Sequence, residues 1–295
     1  MSLRLESLFQ RILTRARRLL PPRAFRDVQD RCRGLNGIEI GGPSAVFQRW
    51  NRWPLYPVVG TLDTYNFATR TLWSRQRPSA FLAQGHPSGR EFIGEASVMT
   101  EIKPSTYGFL LASHVLEHVA NPLKALRAWT GIVVPGGTIV LVVPHRDGTF
   151  DHRRPITTIE HILSDFTRDV TEDDQTHFRE IIDLHDLSRD PGARSRDDFV
   201  ARVRDNSKQR SLHHHVFDTE LILKVVDQAG LRILYVDVEL PYHICVACSS
   251  LPATDRAEAE KEKEKDVAGN ASYWSPLAAW RRRGLFPSDR QTVER

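Results

Sequence analysis

GLNGIEIGGPS, residues 34 to 44, is the stretch from which the fold is read. Ile38 and Ile40 alternate with Glu39 as in a strand, and Gly41 and Gly42 follow at once. With no Cβ, the two glycines let the turn after the strand pass close to a ligand, and Pro43 with Ser44 can open a helix. An acid and a glycine pair at a strand tip is one way an α/β sheet brings its backbone to a nucleotide-like cofactor. Taken alone, the same pair more commonly marks an ordinary strand-to-helix turn, so its meaning depends on what lies downstream.

Downstream, strand-like and helix-like pieces alternate. Further strands are expected at 57 to 62, 91 to 95, 107 to 112, 138 to 143, 231 to 240 and 243 to 249. A helix carrying Leu123, Ala125, Leu126 and Trp129 runs up to the Pro135-Gly136-Gly137 turn, and another spans Thr219 to Gly230 behind an Asp218 cap. This alternation predicts an α/β fold, a mainly parallel, doubly wound sheet of seven strands with helices on both faces. The last two strands are joined too closely for a crossover helix, so one of them must run antiparallel near an edge.

In such a sheet the ligand crevice lies at the carboxyl ends of the strands. Polar residues gather at the expected ends: Glu39 to Gly42 after the first strand, Asp63 after the second, Glu95 and Ala96 after the third, Ser113 and His114 after the fourth, His145 after the fifth. A carboxylate ending the second strand is placed to accept both hydroxyls of a ribose. A carboxylate with a backbone amide after the third can read an adenine edge. The convergence points to an adenosine-containing cofactor.

The residues Glu39 to Ser44 (EIGGPS), Leu62-Asp63, Gly94-Glu95-Ala96, Ala112 to Val119 (ASHVLEHV), Pro135-Gly136-Gly137 and Leu141 to Pro144 stand in an order that resembles the class I S-adenosylmethionine-dependent methyltransferases. Within that class the resemblance is especially to the type 11-like group, with LEH after the fourth strand and PGG before the fifth. It covers residues 34 to 249 and implies a Rossmann-like fold with S-adenosylmethionine as cofactor. It further implies that Gly41 and Gly42, with Pro43 and Ser44, approach the methionine part, Asp63 the ribose, and Glu95 with Ala96 the adenine. Ser113 and His114 would lie beside the cofactor. The chain departs from the group in two places: its glycine motif is EIGGPS, and Gly108 stands where many relatives carry an acid. The same motif also lacks the G-x-G-x-x-G of a nicotinamide dehydrogenase.

Methyl transfer from a sulfonium requires nucleophile, carbon and sulfur to be held in line at about 3 Å in a closed site. An unactivated hydroxyl acceptor also needs a base. His145, with Asp147 two residues on, is the first candidate, weighed against a histidine that merely binds a neighbouring backbone group; His118 ranks lower. Residues 148 to 215 exceed the roughly 30 that a crossover needs, and predict a helical lid. The lid concentrates Asp151, His152, Glu160, His161, Asp165, Asp173, Asp174, His177, Asp183, His185 and His213 to His215. A polar substrate pocket, with Asp151, His152, His177 and His215 as candidate contacts, is favoured over a divalent-metal site, because no tight ligand spacing appears. His161 and Asp165 are one helical turn apart, as are Asp173 and His177, but such pairs are common on solvated faces. Few aromatics occur there, which suits a hydroxyl-rich, carbohydrate-like acceptor.

The 295 residues are 40% hydrophobic and 26% charged, enough for one sizeable core. The formal charge of +4 is unevenly spread: residues 1 to 33 hold nine arginines against three acids, and the body from 34 to 252 carries −3. A nucleic-acid substrate is therefore disfavoured. Residues 1 to 33 include an amphipathic helix of Leu5, Leu8, Phe9, Ile12, Leu13, Ala16, Leu19 and Leu20 that stops at Pro21-Pro22. It is expected to pack on the main domain or a second subunit, as in a homodimer, or to touch an anionic membrane surface. Residues 253 to 295 read as a charged linker and tail. Arginines interrupt the apolar run at the start, no membrane span appears, and three cysteines suggest no disulfide framework, so a cytoplasmic site, peripheral to the inner membrane surface, is expected. Cys245 and Cys248, three apart on a strand, point to opposite faces and cannot share a metal. The reading is an O-methyltransferase of a polar or polysaccharide acceptor; a different class of reading is a methyltransferase-like binding module docked through its basic tails.

Overall fold

The computed structural model describes residues 24–69, 88–190 and 192–250. The amphipathic segment before Pro21 and the tail after 252 lie outside the described residues. In chain order the elements are α1 (Phe25–Cys32), β1 (Asn36–Ile40), β2 (Thr61–Asn66), β3 (Ser88–Ile93), β4 (Tyr107–Ser113), α2 (Pro122–Ile132) and β5 (Val133–Pro144). They are followed by α3 (Ile159–Thr167), α4 (Phe178–Leu184), α5 (Arg196–Arg204), α6 (Asn206–Gln209), α7 (Thr219–Gln228), β6 (Leu231–Glu239) and β7 (His243–Ser250).

The seven strands form one sheet in the order β3-β2-β1-β4-β5-β7-β6. Pairings are parallel from β3 through β5, and β7 runs antiparallel to both β5 and β6. This is the α/β sheet with one reversed strand next to an edge that the close β6 to β7 connection required. Strand order reverses between β1 and β4, so a crevice opens at their carboxyl ends.

Two cores cover the two faces. Ile38, Leu110, Ile139, Leu141, Ile244 and Val246 pack with Leu126 and Trp129 of α2 and with Ile222 and Val226 of α7. On the opposite face Val140, Val142 and Phe109 meet Phe25, Val28 and Cys32 of α1 together with Trp53, Leu55 and Tyr56. The interior strand β5 is thus buried on both sides, which is why it reads as an unbroken apolar run. Cys248 faces the first core and Cys245 the second, so the two thiols are on opposite faces as their spacing demanded. The helix ends also follow the sequence. Asn121 caps α2 by accepting from the Lys124 amide at 3.1 Å, Asp218 caps α7 through the Leu221 amide at 2.7 Å, and Gly230 leaves α7 at φ +72°.

One strand is displaced from its expected place. The apolar run 57 to 62 suggested β2, but Val58 and Val59 lie in a turn whose Gly60 amide donates to Leu35 O at 2.8 Å, and pairing begins with Asn36 opposite Thr61. Asp63 therefore lies inside the strand and Asn66 at its tip. A carboxylate is tolerated there because the Tyr107 hydroxyl donates to it at 2.7 Å and the Arg90 amide at 2.7 Å.

The insertion between β5 and α7 is helical and has a small core of its own, Ile181, Phe199, Val203 and Leu212. Ile162 of α3 instead enters the main core, joining the insertion to the sheet. Among the described residues no helix is long and apolar enough to cross a membrane.

Candidate functional site

A crevice opens at the tips of β1, β2 and β4. Gly41 stands at its wall with φ +74°, and a Cβ there would come within 2.5 Å of Val115 Cγ2. Glycine is thus needed twice over, for the left-handed backbone and for the close approach. Gly42 packs on Glu39, whose buried carboxylate accepts from the Ser44 amide at 3.0 Å and the Tyr56 hydroxyl at 2.7 Å. Glu39, Gly42, Pro43 and Ser44 therefore build the turn from behind, while Gly41 alone of that group meets the cavity. Tyr65, Asn66 and Phe67 form the next wall, with Glu95 and Ala96 beyond them.

The insertion borders the crevice. Arg210 lies 2.9 Å from Glu95 Oε2 and 2.6 Å from Glu172 Oε2, and both Arg210 and Glu172 line the crevice. Burial pushes the Glu172 carboxyl up to about 7, and this outweighs the lowering effect of Arg210. Its neutral form is thus favoured in the fold. The stability it contributes is complete below about pH 4.5 and is lost as pH rises through about 7, a shift worth on the order of 3 kcal/mol. Glu172→Gln should therefore gain on wild type at pH 8 but not at pH 4, read from urea midpoints. An equal offset at both pH values would refute it.

At the other edge lie His114, Val115 and His118. His114 has φ +53° and sits with Nε2 2.9 Å from His243 Nδ1. Between His114 and His118 the Glu117 side chain is fully buried, and neither carboxylate oxygen has a hydrogen-bond partner. His114 Nδ1 is 3.3 Å from Glu117 Oε1 but too poorly aligned to bond, and His118 Nε2 is 3.9 Å away. Burial pushes the His118 imidazole down to about 4, helped by His213. It is neutral at physiological pH, and its Nδ1 donates to Leu212 O at 2.8 Å, which turns the Nε2 lone pair inward. His213 Nδ1 pairs with Asp151 in the same manner, so Glu117, His118 and His213 converge, with one donor atom from each within 4.8 Å of the others. A neutral imidazole beside a buried carboxylate can accept a proton, and the three donors together can also hold a divalent cation.

The remaining expected residues are dispersed. Asp63 is not a wall of the crevice, because β2 is displaced and Asn66 holds the tip. His145, the first candidate base, is fully buried, and its Nδ1 accepts from the Asp147 amide at 3.2 Å. It caps the turn after β5 and does not line the crevice, the backbone-binding role weighed against catalysis. Asp147 pairs with Arg146 at 3.2 Å, and Ser113 is buried in β4. The lid residues expected to share one substrate pocket divide among separate contacts. Asp151 pairs with Arg154 and His213, His152 with Asp186 at 2.8 Å, and His177 with His215 joins a different cluster. Glu117 lay within a recognised motif without an assigned role, and His213 within a histidine run. Asn66, Glu172 and Arg210 carried no signal in the sequence.

No protein-family model matches the chain, and no curated protein matches it. Among solved structures, similarity is found to an S-adenosylmethionine-dependent methyltransferase from Aquifex aeolicus (8% identity, TM-score 0.43, 78% of this chain and 90% of that one). It is also found to an S-adenosylmethionine-dependent methyltransferase from Mesorhizobium loti (12%, TM-score 0.44, 77% and 95%). A third is 1,6-didemethyltoxoflavin-N1-methyltransferase from Burkholderia thailandensis, solved with 1,6-didemethyltoxoflavin and S-adenosylhomocysteine (9%, TM-score 0.43, 78% and 79%).

Proposed function

We propose that this chain is an S-adenosylmethionine-dependent methyltransferase that methylates a hydroxyl of a polar, carbohydrate-like acceptor. The observation that carries the reading is the crevice at the β1/β4 reversal, with left-handed Gly41 at its wall, His114 and His118 at its edge, and the buried Glu117, without a hydrogen bond on either oxygen, between those two histidines. The motif resemblance supports the cofactor. The residues present fit it: Gly41 leaves no Cβ between backbone and ligand, Asn66 offers an amide at the β2 tip, and Glu95 with Ala96 borders the next wall. S-adenosylmethionine, when bound, supplies an electrophilic methyl group on a sulfonium.

The protein's part is to position the acceptor and take its proton. His118 Nε2 accepts that proton, Glu117 opposes the positive charge that then forms on the ring, and Leu212 O holds the tautomer. The insertion borders the crevice through Arg210 and Glu172, and exclusion of water there would favour the transfer. A second reading is favoured by the paired partners of His118 and His213: with both Nδ1 atoms engaged, the two imidazoles and Glu117 would hold a divalent cation that acidifies the acceptor hydroxyl. The amphipathic stretch before Pro21 would suit work beside a membrane-linked glycan.

Calorimetry with S-adenosylmethionine, followed by methyl transfer to a glycan panel and to small phenols and carboxylates, tests the proposal. Binding with turnover on glycans is expected. Absence of heat ends the methyltransferase reading, turnover only on phenols or carboxylates ends the acceptor class, and binding without any turnover favours the non-catalytic module. Loss of turnover on chelation, restored by Mg²⁺ or Mn²⁺, selects the metal-assisted form.

A further inference from the structure

We propose that the insertion carries a zinc site, made of His161 Nε2, Asp165 Oδ2, His177 Nε2 and His215 Nε2, which fastens the lid in place. It is separate from Glu117, His118 and His213 and does not depend on the methyltransferase reading.

The four side chains come from three parts of the insertion: His161 and Asp165 lie one turn apart on α3, His177 immediately precedes α4, and His215 lies on the approach to α7. Their donor atoms all lie within 4.8 Å of one another. His161 Nε2 is 3.2 Å from His177 Nε2 and 3.1 Å from Asp165 Oδ2, and His215 Nε2 is 3.8 Å from the same oxygen. Donors about 2.0–2.1 Å from a tetrahedral zinc stand about 3.3 Å apart, so these three spacings suit a shared ion, and the other pairs, within 4.8 Å, would draw together around it.

Hydrogen bonds serve this arrangement poorly, since one His161 Nε2 proton would have to be shared between Asp165 and His177. An imidazole nitrogen carries either one proton or one lone pair, so His161 Nε2 cannot donate to Asp165 and also accept from His177. A cation at the centre lets every atom contribute a lone pair. The surroundings agree with that role. Arg168 binds the other carboxylate oxygen, Oδ1, at 2.8 Å and leaves Oδ2 directed at the cluster, an outer contact of the kind that orients metal ligands. In the ion-free arrangement His215 Nε2 lies 3.2 Å from Ala120 O, a contact that binding would exchange for the metal.

Three imidazoles and one carboxylate form a borderline set that suits zinc, and four protein ligands leave no open position, the mark of a structural site. Asp165 and His215 are buried, whereas His161 and His177 are partly exposed, so an entry path exists. Asn121 Nδ2 donates to the Asp165 carbonyl at 3.1 Å, which links the cluster to the loop that carries Glu117 and His118. The ion would thereby hold the cover against the crevice.

The test uses the untagged full chain, grown with added zinc, dialysed, and analysed for metal by mass spectrometry. About one zinc per chain is expected, with thermal stability falling on chelation and returning when Zn²⁺ alone is restored. Cobalt substitution should give the intense visible absorption of four-coordinate Co²⁺. His161→Gln and His177→Gln, both at partly exposed positions where folding is little threatened, should weaken zinc retention at least about 100-fold. Asp165→Asn should do the same. Glu117→Gln should leave this zinc in place. A chain that takes up no zinc, or zinc that survives His161→Gln and His177→Gln but is lost with Glu117→Gln, would overturn the assignment.

Discussion

In the proposed methyl transfer, Glu117→Gln is expected to lower kcat by about 10²- to 10⁴-fold while leaving S-adenosylmethionine affinity nearly unchanged. Glu117 is fully buried; burial works to raise its pKa, but contact with His114 and the nearby His118 outweighs this and holds it below the ordinary carboxylate range. An ionised carboxylate without a hydrogen bond on either oxygen is costly in a folded protein and calls for a compensating positive charge. That charge arises on His118 when it takes the acceptor's proton, or resides on a bound cation. Glutamine keeps the shape and removes the charge, so it separates chemistry from folding. Initial rates at saturating cofactor, with calorimetry on the same preparation, give the answer. An unchanged kcat would exclude Glu117 from the reaction in both forms of the proposal. His145→Ala, by contrast, is expected to act through stability, because His145 caps a turn outside the crevice.

Arg154→Met is expected to destabilise the protein by roughly 3–5 kcal/mol. Arg154 is 1% exposed, yet its guanidinium binds Glu180 at 2.7 Å, Asp151 at 3.1 Å, and the carbonyls of His213 and His214 at 2.8 and 3.3 Å. It ties together the start of the insertion, α4, and the histidine run before α7. Removal takes the donor from Asp151 Oδ1 and from two carbonyls, leaving Asp151 only its His213 partner and no solvent to replace the lost bonds. The neighbouring Arg153, 55% exposed and 3.3 Å from Asp186, is the control, and Arg153→Met should cost about 1 kcal/mol or less. Urea unfolding with both slopes compared decides the point. A loss below 1 kcal/mol for Arg154→Met would mean that the insertion is held by its apolar core and that Arg154 adds little.

The parts of the site that follow from chain order were legible early. The β1 turn, the α2 and α7 caps and the reversed last strand depend on neighbours a few residues apart, and the structure places them where the pattern put them. Asp63 was misassigned because an apolar run, PVVGTL, reads as a strand whether it pairs or turns. Only the register with β1, set by Asn36 opposite Thr61, moved the tip to Asn66. His145 looked catalytic by position after β5, yet position along a chain does not show whether a side chain points to solvent or into the protein. The absence of tight ligand spacing hid both histidine clusters, since His161 and His215 are far apart in sequence and adjacent only after folding.

The sequence by itself determined the alternating α/β architecture, the glycine turn at the head of the sheet, and the opposed faces of Cys245 and Cys248. Each of these depends on a short backbone period or on the steric freedom of a single residue. Only the tertiary structure decided which polar side chains share a space. It set Glu117 against His118 and His213, Arg210 across Glu95 and Glu172, and four donors from three segments around one point. Such convergence depends on how distant segments pack, and no local pattern of residues encodes the distance between them.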